Sequence, residues 1–182
     1  VQNAFESHPF NIVESSYPLF VSYTSGSTGP PKGIVHCHGG YTSGIYKTMT
    51  TVFDAKTTDI MFTIGSFGWI TGQSYMITGP MLIGMTSILM DGHVLNPHPL
   101  RFAQIISENS VTLLQSGSTF LRYIMTECKT SDFDTYDLSS LKVSTFCAEP
   151  VNKEVHNFAK THVCQNFINS YWATEHGGIV WS

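Results

Sequence analysis

A chain of 182 residues is sized for one domain around one continuous core. Hydrophobic residues make up 42% of it and charged residues only 12%, about half the charge of an average soluble domain, so much of the chain belongs in an interior. A formal charge of −4 excludes a broad basic footprint for nucleic acid or an anionic membrane surface, and any phosphate must be held by a local cluster of donors.

In chain order, Val1–Phe10 has no basic segment leading into an apolar run, so no secretory leader is expected. Short β-branched or aromatic runs predict strands at Leu19–Tyr23 and Gly33–His36, followed by a helix over Gly39–Phe53. A strand at Asp59–Thr63 precedes a helical stretch from Thr71 to Ile83 with a break near Gly79-Pro80, and a strand follows at Thr86–Met90. The most apolar stretch, Tyr75–Met90, is interrupted by Gly79, Pro80 and Gly84 and is too short for a bilayer, so buried core is expected. The clearest helix is Pro99–Asn109, where proline suits the first turn and Phe102, Ile105 and Ile106 share a face. Beyond it come a strand at Val111–Leu114, a helix at Ser118–Cys128, a strand at Lys142–Cys147, a helix at Val151–Thr161 and a strand at Gln165–Asn169. This alternation predicts an α/β fold with layered, mostly parallel sheets and flanking helices. Ligand sites then belong beyond the carboxyl ends of the strands, in loops leading into helices.

Cys37, Cys128, Cys147 and Cys164 match neither a dense disulfide framework nor a zinc spacing, and a reducing compartment is expected, the cytoplasm or an organelle matrix. His36, Cys37 and His38 are close in sequence, but neighbours on a strand face opposite ways, so a structural role is expected of them. The other histidines show no H-x-x-x-H pattern.

After the first strand comes Thr24-Ser25-Gly26-Ser27-Thr28-Gly29-Pro30-Pro31-Lys32-Gly33. Hydroxyls and backbone N–H groups can donate to a polyanion, glycines allow a close backbone approach, and Lys32 adds a mobile positive charge. The spacing is neither Walker A nor G-x-G-x-x-G. The decamer resembles the signature loop of the adenylate-forming superfamily, which includes acyl-CoA synthetases, luciferases and the adenylation domains of peptide synthetases. Two further segments are similar to the AMP-forming acetyl- and propionyl-CoA synthetases within it. Gly68-Trp69-Ile70-Thr71-Gly72-Gln73-Ser74-Tyr75 resembles the segment lining their acyl pocket, with Ser66 where that family has an acidic residue. Asn169-Ser170-Tyr171-Trp172-Ala173-Thr174-Glu175-His176-Gly177-Gly178 resembles their Asp-Thr-Trp-Trp-Gln-Thr-Glu-Thr-Gly-Gly without a gap. Cys147-Ala148-Glu149-Pro150 resembles their Gly-Glu-Pro turn, with Ala148 in place of the glycine.

The resemblance implies a short-chain acyl-CoA synthetase that joins acetate or propionate to coenzyme A at the expense of ATP, through an acyl-adenylate. It implies that Lys32, Thr174 and Glu175 serve catalysis, with Glu175 holding Mg2+. Thr24 to Gly29, Ala148, Glu149, Pro150 and Asn169 to Thr174 would bind ATP or AMP, with Tyr171 against the adenine and Thr174 on the α-phosphate. Trp69, Ile70, Thr71, Cys147 and Trp172 would face the acyl group, Trp172 closing the pocket to longer chains. The family's ribose-binding aspartate, the arginine after it and the small C-terminal lid domain with its lysine find no counterpart in residues 1–182. The chain is therefore expected to be a partial N-terminal AMP-binding domain that needs the rest of the synthetase chain for overall activity. Two other readings stay open: a noncatalytic nucleotide-binding or interaction module derived from the family, and an adenylation domain loading a carrier-protein thiol. Pyrophosphate exchange separates the first from the synthetase, and the indole of Trp172 speaks against the second.

Overall fold

The computed structural model describes residues 10–24, 29–147 and 149–182. Its first two strands, β1 (Pro18–Thr24) and β2 (Lys32–Cys37), pair antiparallel as a sheet of their own. This corrects the expected strand-to-helix loop: the phosphate-type loop joins the two strands of a hairpin. The connection from Thr24 to Lys32 is far shorter than the dozen residues that a parallel crossover needs, so the chain must turn straight back. Phe20, Ser22 and Thr24 of β1 and Ile34 and His36 of β2 face inward, while Leu19, Val21, Tyr23 and Val35 face out.

β2 feeds α1 (His38–Thr51), and the chain then enters a five-stranded sheet whose pairs are all parallel. Its members are β3 (Ile60–Thr63), β4 (Thr86–Ile88), β5 (Leu113–Gly117), β6 (Val143–Cys147) and β7 (Phe167–Asn169), in the order β4-β3-β5-β6-β7. β6 is buried throughout and β5 for all but its last residue, as expected of strands covered on both faces. Successive side chains divide between two cores. Phe62, Leu114, Phe146 and Phe167 pack against α3 (Arg101–Asn109), α4 (Ser118–Glu127) and α5 (Lys153–His162). Met61, Leu113 and Val143 pack on the other side with Ile45, Met49 and Phe53 of the α1 region and with Tyr75.

Two local expectations are corrected. No break occurs at Gly79-Pro80: a π-helical segment, Gly72–Thr78, runs directly into α2 (Gly79–Ile83). Pro80 lacks an N–H, and the wider π spacing absorbs it, Gly79 donating to Ser74 five residues back. Here Tyr75, Met76, Gly79 and Pro80 are buried, but Met81 and Leu82 of the expected core stretch are exposed. The helix predicted from Pro99 begins at Arg101, after a turn at Pro99 and Leu100. The Arg101 guanidinium donates to the carbonyls of Asp91, His93 and Asn96 and so holds the preceding loop at the helix start. Phe102 and Ile106 are fully buried, and Ile105 packs partly buried against them. A short 3-10 turn, Thr130–Thr135, was not expected from the sequence and inserts Phe133 into the core.

At the amino ends of β3, β5 and β6 a polar clasp closes the sheet. The buried Asp59 accepts from the Lys56 N–H at 2.8 Å, the Thr112 hydroxyl at 2.9 Å and the Lys142 ammonium. Burial alone would raise its carboxyl; these donors and the Lys142 charge outweigh that and hold the pKa below its ordinary 3.8. The opposite, carboxyl ends of the strands stay open, and the candidate site forms there.

Candidate functional site

Beyond β3 the chain makes a tight turn, Ser66–Gly72, before the π-helical segment. Trp69 N–H donates to the Ser66 carbonyl at 3.1 Å, and Gly72 passes so close that a Cβ there would lie 2.3 Å from that oxygen. Only glycine fits, and the turn presents Trp69, Ile70 and Thr71. They face Cys147 at the end of β6 and Trp172, Ala173 and Thr174 beyond β7, and these seven residues line an open cavity of about 170 Å3. That is the space of five or six waters at roughly 30 Å3 each. Every residue predicted for the acyl pocket, Trp69, Ile70, Thr71, Cys147 and Trp172, lines it. Trp69 forms an exposed rim at 67% accessibility, whereas Ile70 and Cys147 are buried.

The indole of Trp172 meets Tyr75 edge-on at 5.4 Å between ring centroids. Its Nε1 is buried and makes no hydrogen bond of ordinary geometry, and the Cys147 sulfur is the polar group it acts on. Burial pushes the Cys147 thiol upward, with Trp172, Gln115 and Thr71 pulling partly back. The sulfur also accepts from Gln115 Nε2 at 3.3 Å, and Gln115 Oε1 in turn accepts from the Thr145 hydroxyl. The thiol is therefore a protonated, packed wall of the cavity rather than a reactive nucleophile.

The segment carrying Tyr171 to Gly178 is held from several sides. The imidazole of His36 on β2 bonds the Thr174 carbonyl at 2.8 Å. Tyr41 of α1 donates to Ser74 at 2.8 Å, and Ser74 donates to the Gly177 carbonyl. The Tyr75 hydroxyl accepts from the Ile179 N–H at 2.9 Å and donates to Thr48. Gly177 has φ +78°, and a Cβ there would stand 2.8 Å from Tyr41. Its positive φ and that close approach both call for glycine. The Tyr75 phenol is pushed up to about 12, chiefly by burial.

The remaining predicted positions fall around this turn. Tyr171 exposes its ring, at 67% accessibility, with His176 6.3 Å away. Glu175 is exposed and joins no ion pair among the described residues. Asn169 ends β7 with an exposed side chain, while Ser170 is buried with its hydroxyl donated to the Phe146 carbonyl at 2.7 Å. Glu149 and Pro150 follow β6; the Glu149 carboxylate accepts from Arg122 at 3.0 Å, Thr119 at 3.2 Å and Ser118 at 3.3 Å, and Arg122 also donates to the Pro150 carbonyl at 2.7 Å. Thr24 pairs with Lys32 across the base of the hairpin, and Gly29 has φ +123°. Ser25, Gly26, Ser27, Thr28 and Ala148 lie outside the described residues. Lys32, itself exposed, falls by alternation on the same face of β2 as His36, four residues or roughly 13 Å along the strand.

Sequence reasoning missed His36, Tyr41, Gln115 and Arg122 as neighbours of the site. For His36 the sequence supports a structural role, as expected above, but which group it faces is a tertiary fact. A larger cavity of about 490 Å3, beyond β3 and β4, includes Ser66 and none of the residues predicted for binding. Among the described residues no three His, Cys, Asp or Glu side chains gather as a metal set, and no helix is long and apolar enough to cross a membrane.

A parallel α/β sheet preceded by a hairpin, with a small pocket beyond the carboxyl ends of its strands, is the arrangement of a ligand-binding α/β domain. Residues 2–182 match the AMP-binding enzyme family, and the chain belongs to it. It is 40% identical over 171 residues to the acetyl-coenzyme A synthetase of Pyrobaculum arsenaticum, a match covering 92% of this chain and 25% of that protein. The acetyl-coenzyme A synthetase of Phycomyces blakesleeanus is 37% identical, covering 90% and 25%, and that of a Shewanella species 38% identical, covering 99% and 28%. The chain thus spans about a quarter of the length of these relatives.

Proposed function

We propose that residues 1–182 form part of the adenylation domain of an AMP-forming short-chain acyl-CoA synthetase, acting on acetate or propionate with ATP and coenzyme A. The observation that carries this reading is the convergence of three separate motifs, Trp69–Thr71, Cys147 and Trp172–Thr174, on one cavity of about 170 Å3. That volume suits an acid of two or three carbons, and a half-buried indole forms one wall of it.

In the first half-reaction a carboxylate oxygen of the acid attacks the α-phosphorus of ATP, an O–P bond forms, and pyrophosphate leaves with the broken bond's electrons. In the second, the coenzyme A sulfur bonds the acyl carbon, its proton is lost, and AMP departs. The acid is already nucleophilic, so the protein aligns two anions and offsets their repulsion. Lys32 and the loop Thr24 to Gly29 would face the phosphates. The Thr174 hydroxyl, on the cavity wall and without a partner among the described residues, would donate to the α-phosphate. Tyr171 has an open ring face suited to stacking on adenine. Glu149 and Ser170 have committed their side chains to Arg122 and to the β6 backbone. They would therefore act through their backbone, as Ala148, Pro150, Asn169 and Ala173 would.

The exposed carboxylate of Glu175 fits a hard divalent cation such as Mg2+, which would neutralise phosphate charge. Because the described residues offer no further clustered carboxylates, phosphate oxygens and water would complete its shell. The four cysteines, all free thiols, suit a reducing compartment.

The test is acid-dependent exchange of labelled pyrophosphate into ATP by the full-length protein. Exchange with acetate or propionate is the expected result. Absence of exchange with any short acid, in a folded protein that still binds ATP, would leave a nucleotide-binding module instead.

A further inference from the structure

The three parts of the proposed machinery sit on separate elements: the phosphate loop on the β1–β2 hairpin, the acyl turn before the π-helical segment, and the Thr174–Glu175 turn after β7. Adenylation needs them in fixed relation, and 138 residues of chain separate His36 of β2 from Thr174. We propose that His36 is the positioning residue that fixes the Thr174–Glu175 turn against the phosphate-bearing hairpin. This rests on the adenylation reading above and adds to it a role for a residue outside the ligand contacts.

The geometry is specific. His36 is 7% exposed, and its Nε2 lies 2.8 Å from the Thr174 carbonyl oxygen. A carbonyl can only accept, so Nε2 carries the proton and donates. The ring cannot swing away, because it packs against Phe20 at 5.0 Å and Tyr41 at 5.2 Å, and those two rings meet edge-on at 4.9 Å. The Tyr41–Ser74–Gly177 chain supports the same turn from α1 and the π-helical segment. A Cβ on Gly177 would stand 3.1 Å from the His36 ring, so strand and turn are in van der Waals contact as well as hydrogen bonded.

Alternation along β2 puts Lys32 and His36 on one face, so the residue that holds the turn also orients the strand from which Lys32 rises. The bonded atom belongs to Thr174 itself, one residue before Glu175. A shift of the turn by about 1 Å would displace both the hydroxyl and the carboxylate, a scale of misplacement that costs on the order of 100-fold in rate.

The experiment compares His36→Phe and His36→Gln in the full-length protein by pyrophosphate exchange. Phe keeps the stacked ring and removes the donor; Gln places an amide N–H near the Nε2 position. His36→Phe is expected to lower the exchange kcat roughly 10- to 100-fold with the acid KM changed less than threefold, while His36→Gln recovers most of that loss. If His36→Phe does not fold, His36→Asn, whose amide falls short of the carbonyl, takes its place with the same expected loss. Equal rates in the donor-free and wild-type proteins, or a Gln variant as impaired as its donor-free counterpart at equal melting temperature, would overturn the proposal. Failure of the wild-type protein to exchange with any acid would instead overturn the adenylation reading.

Discussion

Replacing Trp172 by glycine removes the indole wall of the 170 Å3 cavity and joins to it the space the ring filled against Tyr75. The acids that gain are those whose extra methylenes reach into the vacated space. Each buried methylene contributes about 0.8 kcal/mol, a factor of about four, so an acid three methylenes longer than propionate gains about 2.4 kcal/mol, or about 60-fold in kcat/KM. Acetate, too short to reach the new space, gains nothing and loses a confining wall. The half-buried ring and its edge contact with Tyr75 also support the fold, so a stability loss below the roughly 3–5 kcal/mol of a fully buried Trp is expected. The assay is pyrophosphate exchange by the full-length variant over straight-chain acids of increasing length, with melting temperature as a control. A folded variant whose preference still peaks at the same chain length as wild type would refute the claim that sterics at this indole set specificity.

Three predictions concern stability and pH. Lys142→Met leaves Asp59 buried with only the Thr112 and Lys56 donors, and should cost about 1–2 kcal/mol in urea unfolding at pH 7, a range kept low because the lysine is 55% exposed. Since the folded carboxyl titrates below 3.8, wild-type Asp59 contributes stability above that pH and loses it as pH falls through its folded value; Asp59→Asn should flatten this acid limb, and an unaltered limb would count against the clasp. Tyr75, with its phenol raised to about 12, stays protonated in the fold when an unfolded tyrosine ionises near 10. Its contribution is therefore present below pH 10 and lost between about 10 and 12. Tyr75→Phe should cost roughly 1 kcal/mol at neutral pH, through the lost Ile179 and Thr48 bonds, and make the alkaline limb shallower in calorimetry.

The parallel sheet was legible because the runs Val111–Leu114 and Lys142–Cys147 are short and rich in apolar or β-branched residues and are separated by helices with clear periodicity. The hairpin was not, since the pattern of β1 and β2 says nothing of their partners; only the length of the intervening loop forces them together. Likewise Gly79-Pro80 reads as a helix break at α-helical spacing, and the π-helical segment escapes that rule by moving its hydrogen bonds one residue further back. Pro99 was placed inside α3 by propensity, whereas Arg101, through three carbonyls of the loop before it, decides where the helix begins.

The site divides the same way. Trp69, Ile70, Thr71, Cys147 and Trp172 are legible from motif resemblance and meet around one cavity, because each lies at or just beyond the carboxyl end of a strand and all strands of the sheet point the same way. What holds them had no motif. Tyr75 looked like one more aromatic in an apolar run, yet its hydroxyl, 104 residues from Ile179, bonds the turn that carries Thr174. Ser74 and Tyr41 form a relay between α1 and Gly177 that no local pattern announces. A residue that touches a ligand carries its chemistry in its own type and spacing, and a sequence can display that. A residue that positions another needs only a partner at the right distance, and that distance exists only once β2, the π-helical segment and the turn after β7 have been folded against one another.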